Sequence, residues 1–309
     1  MQVRHKENIG AIRIKAPSIC SLIESPELTI KFFRQAETAY KNRKPVIYDL
    51  SDCTTFTETS TALLAAYLKD RNINFGRPSN VIFPINVKCK KALHDRGILK
   101  KYDTDGKEFT FCDAPVQKVS NILVENHVAK GIVKSASFFI YQEERRIKEL
   151  YSLLIEIMAN TNNHADSKKS GVYPWWLSIY RDIENNSVKF VFIDLGLGIF
   201  ESLPVQQYMN KNPNTYMSYS GQIKQELRRQ NIAALFTALI NGQIKSSTGD
   251  PTRGRGLPLI AKNAKSGHFK AFKMIANDAY IDLISNETAV MNEHFSGTLY
   301  YFELAEYSI

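Results

Sequence analysis

The sequence has few cysteines, no internal repeat and no long apolar run. The cysteines and the apolar runs each argue against a class of protein. Its four cysteines in 309 residues, none in a Cys-x-x-Cys pair, are Cys20, Cys53, Cys89 and Cys112. This spacing argues against a zinc site and is typical of reduced thiols in a cytoplasm. No apolar run approaches the length of a membrane span, and the N-terminal residues lack an apolar signal core. We therefore expect a cytoplasmic protein with no membrane partner.

Basic residues outnumber acidic ones by 40 to 31, which gives a formal charge of +9. Such a charge can attract a polyanion non-specifically. The densest basic cluster lies on and after one predicted helix and consists of Lys88, Lys90, Lys91, Arg96, Lys100 and Lys101. Only Tyr102 could stack on a base there, so a solvated helix face explains the cluster better than an interface with nucleic acid. Nucleic acid is thus left open as a partner but is not indicated.

A chain of 309 residues is longer than a single hydrophobic core usually supports, so we expect two domains. In the first half, strands and helices alternate over residues 46–50, 61–68, 80–83 and 88–96, which predicts a small α/β unit. Residues 109–111 read as its last strand, and Pro115 breaks the chain. We expect this domain over residues 1–115 and a connecting segment over 116–144. A second domain over 145–309 would follow, led by a helix that begins near Gln142.

Three polar residues recur every four positions in the apolar helical run near residue 156. They are Glu156, Asn160 and His164, so they share one face of a half-buried helix. A glutamate there could accept a proton from water, and an asparagine oxygen is a neutral, hard ligand for Mg²⁺. The alternative is that all three are ordinary solvated helix residues.

Three glycine-containing segments follow along the chain. The first, Asp194-Leu195-Gly196-Leu197-Gly198-Ile199, comes after a strand-like run over 188–193 and can turn tightly against a flat ligand. The second, Arg253-Gly254-Arg255-Gly256-Leu257, precedes a predicted helix over 257–263, where backbone N–H groups and guanidiniums could hold phosphate. The third, Gly297-Thr298, adds a hydroxyl on a loop before a strand over 299–304. Each segment could also be a simple tight turn.

The order of these segments resembles the Bergerat-fold ATPases, the group that contains gyrase, histidine kinases and MutL, over residues 145 to 305. The resemblance implies a mixed sheet packed on helices in an α+β sandwich, with ATP and Mg²⁺ as cofactors. It implies a base or water-positioning role for Glu156 and a metal-ligand role for Asn160. Asp194 would bind the adenine amino group. The remaining implied contacts are Gly196, Gly198 and Ile199 at the purine, Thr298 at the adenine end, and Arg253, Gly254, Arg255, Gly256 and Leu257 at the phosphates.

Three points qualify this resemblance. His164 matches a position near phosphate in the family, but a surface histidine explains it equally well. Pro258 replaces the glycine of many relatives, which the first turn of a helix tolerates. The interval from residue 200 to 252 corresponds to the family's nucleotide lid and contains an apolar helix over 232–240.

The first half resembles a STAS domain, the module of anti-sigma-factor antagonists, through Asp49-Leu50-Ser51 and the loop over 56–60. The resemblance implies a protein partner and a phosphate-accepting hydroxyl at Thr59 or Ser60; both could instead be helix N-caps. The whole chain would then be an ATP-binding regulatory switch, by hydrolysis or by transfer of phosphate to serine or threonine. The alternative is a non-catalytic nucleotide sensor that gates dimerisation or nucleic-acid binding. A homodimer is compatible with both.

Overall fold

The computed structural model describes residues 10–69, 73–98, 116–120, 124, 126–164, 173–202, 232–242 and 256–306. For residues 116–120, 162–164, 173–174 and 202 it describes the backbone alone. The chain is a mixed α and β protein that divides into two compact units, residues 1–114 and 115–309. Within the described ranges, no helix is both long and apolar enough to cross a membrane.

The first unit is built around a parallel sheet with the strand order β1-β3-β5. Its strands are β1 (Ile12–Lys15), β3 (Val46–Asp49) and β5 (Ser79–Ile82). A separate parallel pair consists of β2 (Ile19–Cys20) and β4 (Thr55–Phe56), and the helices are α1 (Pro26–Lys41), α2 (Glu58–Lys69) and α3 (Val87–Asp95). The strands and helices expected over 46–50, 61–68, 80–83 and 88–96 are thereby confirmed, whereas the strand expected over 109–111 lies outside the described residues.

Tyrosine hydroxyls link the core of the first unit across its elements. The hydroxyl of Tyr40 on α1 lies 3.0 Å from that of Tyr48 on β3 and 2.6 Å from Oγ of Ser79 on β5. At the end of β3, Arg13 Nε donates to Asp49 Oδ2 at 2.8 Å. Because the hydroxyls of Tyr40, Tyr48 and Ser79 bond to one another across three elements, they fix the register of the sheet against α1.

The two hydroxyls singled out at the start of α2 are buried inside the helix. Thr59 is the second residue of α2 and Ser60 the third, and neither side chain reaches solvent. The Thr59 hydroxyl accepts a hydrogen bond from the backbone N–H of Leu22 at 3.1 Å. The N-cap interpretation is therefore wrong, and a kinase could reach either hydroxyl only after α2 opens locally.

The second unit contains an antiparallel five-stranded sheet with the order β6-β7-β8-β10-β9. Its strands are β6 (Val116–Ser120), β7 (Tyr173–Asp182), β8 (Ser187–Asp194), β9 (Phe269–Asp282) and β10 (Thr288–Ala305). The helices are α4 (Asn126–Tyr141), α5 (Lys148–His164), α6 (Ile199–Ser202), α7 (Ile232–Ile240) and α8 (Gly256–Ala264). The helices expected over 232–240 and 257–263 and the strand expected over 188–193 are confirmed.

One face of this sheet and the helices share a single apolar core. The sheet contributes alternating residues such as Phe190 on β8 and Phe302 on β10, whose rings stack 4.8 Å apart. Phe272 on β9 continues the stack at 5.2 Å from Phe302. α4, α5, α7 and α8 bury their apolar faces in the same cluster. The period-2 side chains of the strands thus meet the helical stripes in a two-layer sandwich.

Three expectations about the second unit need correction. Residues 116–144 do not form a mere connection, because they supply β6 to the sheet and α4 to the core. The helix expected from Gln142 begins instead at Lys148, since Gln142 has a φ of 56° just past the end of α4. Every described strand pairing is antiparallel, not mixed as the resemblance implied.

Candidate functional site

The polar face of α5 is the first part of the site. Leu150, Leu153, Leu154, Ile157 and Met158 are fully buried in the core, which leaves Glu156 and Asn160 half-buried at the edge of that helix. Burial raises the pKa of the Glu156 carboxyl above its usual 4.5. A carboxylate that is partly desolvated is a better proton acceptor than one in water. His164 is the last residue of α5, and its side chain lies outside the described part of the structure.

Asp194 is the second part, at the end of β8. It is only 6% exposed and lies between Trp175 on β7 and Thr298 on β10, both directly opposite in the ladders. The Gly196 N–H donates to Asp194 Oδ1 at 3.2 Å, and Thr298 donates from both its backbone and its side chain. Burial nevertheless outweighs these hydrogen bonds and raises the pKa of Asp194 to about 6.

Two glycines allow the chain to pass close to Asp194. A Cβ at Gly297, whose φ is +123°, would collide with the carbonyl oxygen of Asp194. A Cβ at Gly198, whose φ is +77°, would lie 2.6 Å from the carbonyl oxygen of Gly297. Only glycine fits both positions. Gly297 and Thr298 lie within β10 and not on a loop as expected, because a bulge between Phe295 and Thr298 accommodates them in the strand.

Asn277 on β9 holds the turn that contains Gly198. Its Oδ1 accepts hydrogen bonds from the N–H groups of Phe200 at 3.0 Å and Glu201 at 3.2 Å, and its Nδ2 donates to the Leu197 carbonyl at 2.8 Å. Asn277 is 1% exposed and has a φ of 56°. A side chain from a distant strand therefore caps the start of α6 and sets the path of the loop after Asp194.

The start of α8 approaches the polar face of α5. A Cβ built on Gly256 would lie 2.8 Å from Asn160 Oδ1 and 3.0 Å from Glu156 Oε2. Leu257 anchors this turn in the core, and Pro258 fits in the first turn as expected. The free backbone N–H groups of the helix start thus lie beside a carboxylate and a carboxamide. Arg253, Gly254 and Arg255 lie outside the described residues.

Tyr300 connects the two halves of the site. Burial raises the pKa of its hydroxyl well above 10; the Asp194 carboxylate raises it further, and the Asn160 side chain opposes the shift. Among the described residues, neither the Tyr300 hydroxyl nor Trp175 Nε1 has a well-formed hydrogen-bond partner, although both are buried. Two donors next to Asp194 are therefore available to a polar ligand.

The structure thus brings together most of the described residues that the sequence predicted. Glu156, Asn160 and Gly256 form one group, and Asp194, Gly196, Gly198 and Thr298 form the other. Ile199 begins α6 beside the second group. Sequence analysis missed Asn277, Tyr300 and Trp175. The only signals for them were an asparagine in an apolar segment, a tyrosine inside the strand predicted over 299–304, and a tryptophan in a segment to which no element was assigned.

The donor set fits a nucleotide-borne magnesium ion better than a metal held by protein alone. Within the described residues, no group of three or more His, Cys, Asp or Glu side chains could hold a metal ion. A single asparagine oxygen beside a helix start suits Mg²⁺ that arrives with phosphate oxygens and keeps several waters. The close approach of Gly256 to Asn160 and Glu156 places a helix start beside the candidate metal ligand, and two buried donors without a well-formed partner lie on β7 and β10 near Asp194.

We predict that Asp194→Asn stabilises the ligand-free protein in a pH-dependent way. Because the native pKa of about 6 exceeds the usual 3.8, ionised Asp194 costs stability progressively as pH rises from 3.8 to 6. Removing the charge should raise the free energy of unfolding by about 2 to 3 kcal/mol at pH 8 and by little at pH 4. Urea unfolding at both pH values measures this.

Asp182 provides a control of the opposite sign. Its pKa is lowered to about 2, chiefly by the hydrogen bond from Lys189, so Asp182→Asn should destabilise the protein at pH 8. Equal destabilisation by both substitutions at pH 8 would contradict the burial argument for Asp194.

We predict that Asn277→Gly loosens the turn after Asp194. Glycine tolerates the positive φ of this position, so the change removes the three hydrogen bonds without adding backbone strain. The cost should be about 2 to 3 kcal/mol of unfolding free energy, with faster amide exchange at Phe200 and Glu201. Asn286, an exposed residue with a φ of 63°, is the matched control, and Asn286→Gly should change neither quantity. Unchanged exchange at Phe200 in Asn277→Gly would refute the capping role.

Comparison with known proteins assigns no family to the chain. No protein-family model matches the sequence, and no curated protein matches it. The interpretation of the site consequently depends on the geometry of the residues themselves.

Proposed function

We propose that the second unit binds ATP with Mg²⁺ in the site between α5, α8, the end of β8 and the middle of β10, in the manner of the Bergerat-fold ATPases. The observation that carries this proposal is the convergence of two sequence motifs on one place. Gly256 at the start of α8 lies within contact distance of Glu156 and Asn160, and the Asn160 side chain reaches towards Tyr300 beside Asp194. The proposed phosphate site and the proposed adenine site would therefore be adjacent, with Asn160 between them.

Each group has a role that follows from its chemistry. The N–H groups at the start of α8 would bind phosphate oxygens, helped by the positive end of the helix dipole. Asn160 Oδ1 would bind Mg²⁺, which supplies charge neutralisation at the phosphates when bound. Buried and ionised Asp194 would accept a hydrogen bond from the 6-amino group of adenine. Guanine has a carbonyl oxygen at that position and cannot donate. Thr298 would hold that carboxylate in place.

The presence of Glu156 favours a catalytic function over nucleotide sensing without turnover. A sensor needs the metal ligand and the ring acceptor but no base. The Glu156 carboxyl is half-buried next to the helix start and has a raised pKa, which suits a group that orients and deprotonates an attacking water or hydroxyl. We therefore place ATP hydrolysis or phosphotransfer to serine or threonine first, and a non-catalytic sensor that gates dimerisation or nucleic-acid binding second.

The first unit would couple this chemistry to a protein partner, in the manner of STAS domains. Buried Thr59 and Ser60 cannot accept phosphate without local opening of α2. A regulatory surface on the first unit is therefore a better expectation than a phosphate acceptor at either hydroxyl. The whole protein would then be an ATP-dependent regulatory switch that acts in the cytoplasm.

The proposed metal contact predicts a magnesium-dependent loss in Asn160→Ala. The variant should bind Mg²⁺-ATP about 10-fold more weakly or worse, because a direct ligand is lost, while its affinity for ATP in EDTA changes about 2-fold at most. Calorimetry with and without Mg²⁺ measures both values. Equal losses under the two conditions would assign Asn160 a structural role, and undetectable ATP binding by the unsubstituted protein would refute the proposed function.

Glu156→Gln should separate binding from chemistry. Glutamine keeps the size of the side chain but cannot accept the proton, so turnover should fall on the order of 10²- to 10⁴-fold while ATP affinity stays within a few-fold. Single-turnover reactions with labelled ATP report free phosphate and phosphoprotein separately. Glu149, two turns earlier on α5, is the matched control, and Glu149→Gln should leave turnover unchanged. An active Glu156→Gln variant, or no turnover in the unsubstituted protein, would favour the sensor.

A further inference from the structure

A concave basic surface lies beside α4, on residues that the ATP site does not use. We call it the α4 groove. It is a cavity of about 760 Å³ between α4 and the segment that leads into α5, a size typical of ligand sites. Its lining consists of Lys130, Gly131, Val133, Lys134, Glu144, Arg145, Arg146, Ile147, Lys148 and Tyr151.

The charge of the α4 groove is strongly one-sided. Five cationic side chains line it against the single carboxylate of Glu144. Lys134 pairs with Glu144 at 2.7 Å, and Arg145 pairs with Glu143. Lys130, Arg146 and Lys148 have no ion-pair partner within the described ranges of the chain. Three uncompensated cations in a concave surface concentrate the field on whatever enters it.

A second cavity of about 490 Å³ continues the groove along α4. The two cavities share Gly131, Lys134 and Glu144, and the second adds Arg181 and the aromatic residues Phe138 and Phe139. Phe138 is 60% exposed, whereas Ile132, Val133 and Ile140 of the same helix are buried. Arg181 lies over the Phe139 ring at 5.6 Å, so its guanidinium plane is held on the same side. An exposed ring and cations thus follow one another along one helix.

Gly131 forms the floor of the groove at the junction of both cavities. It lies in the middle of α4, where glycine is the least favourable residue other than proline. A Cβ built on Gly131 meets no atom within 4 Å. Close packing therefore does not require glycine here, and its effect is to leave the groove open.

We propose that the α4 groove binds single-stranded nucleic acid, with phosphates at Lys130, Arg146 and Lys148 and a base stacked on Phe138. Cations that follow a backbone, together with an exposed aromatic ring, are how proteins hold single strands without reading sequence. The concave shape of the groove does not fit a flat bilayer. An acidic peptide would pair with the cations but would leave the exposed ring without a stacking partner. The basic cluster on α3 differs, since no aromatic ring accompanies it on the exposed face of that helix.

The test uses the full-length protein and a fluorescein-labelled 16-nucleotide dT strand, with anisotropy measured from 50 to 200 mM salt. About three phosphate contacts should give a slope of log affinity against log salt near −2. The double variant R146E/K148E should bind at least 10-fold more weakly with a shallower slope. Phe138→Ala should reduce affinity about 5-fold or more without changing the slope. The matched control K90E/K91E makes the same charge change on α3 and should retain most of the affinity.

Two substitutions of Gly131 distinguish blockage of the groove from damage to the fold. Both Gly131→Ala and Gly131→Leu should raise the melting temperature, because each improves helix propensity at an unhindered position. Only leucine should fill the groove, so it alone should abolish binding. This pattern would support the proposal even if a charge variant folded poorly.

Three results would overturn the proposal. Equal weakening of binding by K90E/K91E and R146E/K148E would reveal a non-specific response to net charge. Competition by polyglutamate as strong as that by the strand, with no effect of Phe138→Ala, would indicate an acidic peptide. Binding of vesicles containing phosphatidylserine with the same dependence on Arg146 and Lys148 would indicate a lipid surface. Failure of ATP to bind would leave the groove result unaffected, because the two sites share no residue.

Discussion

The pairing of Asp194 with Thr298 is the constraint on which the candidate site depends. It sets the register between β8 and β10, and with it the positions of Phe192 opposite Tyr300 and of Phe190 opposite Phe302. A shift of one residue would turn this whole row of side chains to the other face of the sheet. The bulge before Thr298 lets Gly297 pass over the Asp194 carbonyl, so the carboxylate end of β8 and the glycine turn stay together.

Several residues of this site lower the stability of the folded protein. Asp194 is buried with hydrogen bonds that do not offset its desolvation, and Tyr300 and Trp175 present donors that the described residues leave unpartnered. A structure selected for stability alone would replace these groups with apolar ones. Their concentration around one carboxylate at the end of β8 is the pattern expected of a ligand site.

Local signals were enough to predict α5, β8 and α8, because the apolar period and the glycine turns of those segments lie within a few residues of one another. They also predicted the face of α5 that carries Glu156 and Asn160, and placed Asp194 at the end of the strand before the glycine turn. The role of Asn277 could not be predicted, since its hydrogen bonds join residues 76 to 80 positions apart in the chain. The same holds for Tyr300, which on sequence is one more aromatic residue in an alternating strand and acquires its meaning only opposite Asn160 and Asp194. α4 was not predicted, because Pro115 indicated a break in the chain and residues 116–144 were expected only to connect the two domains.

The contrast between buried and exposed polar groups separates the chemistry of the two proposed sites. Glu156 and Asp194 have raised pKa values because burial disfavours their charge, so each depends on a ligand or a proton to compensate it. Lys130, Arg146 and Lys148 are exposed to solvent. Their attraction for a polyanion is consequently weak per residue and sensitive to salt. Recognition at the proposed ATP site would therefore depend on a few buried groups, whereas binding at the α4 groove would depend on the summed charge of exposed ones. Salt should consequently weaken the groove much more than the ATP site, because water and ions screen exposed charges and reach buried ones far less.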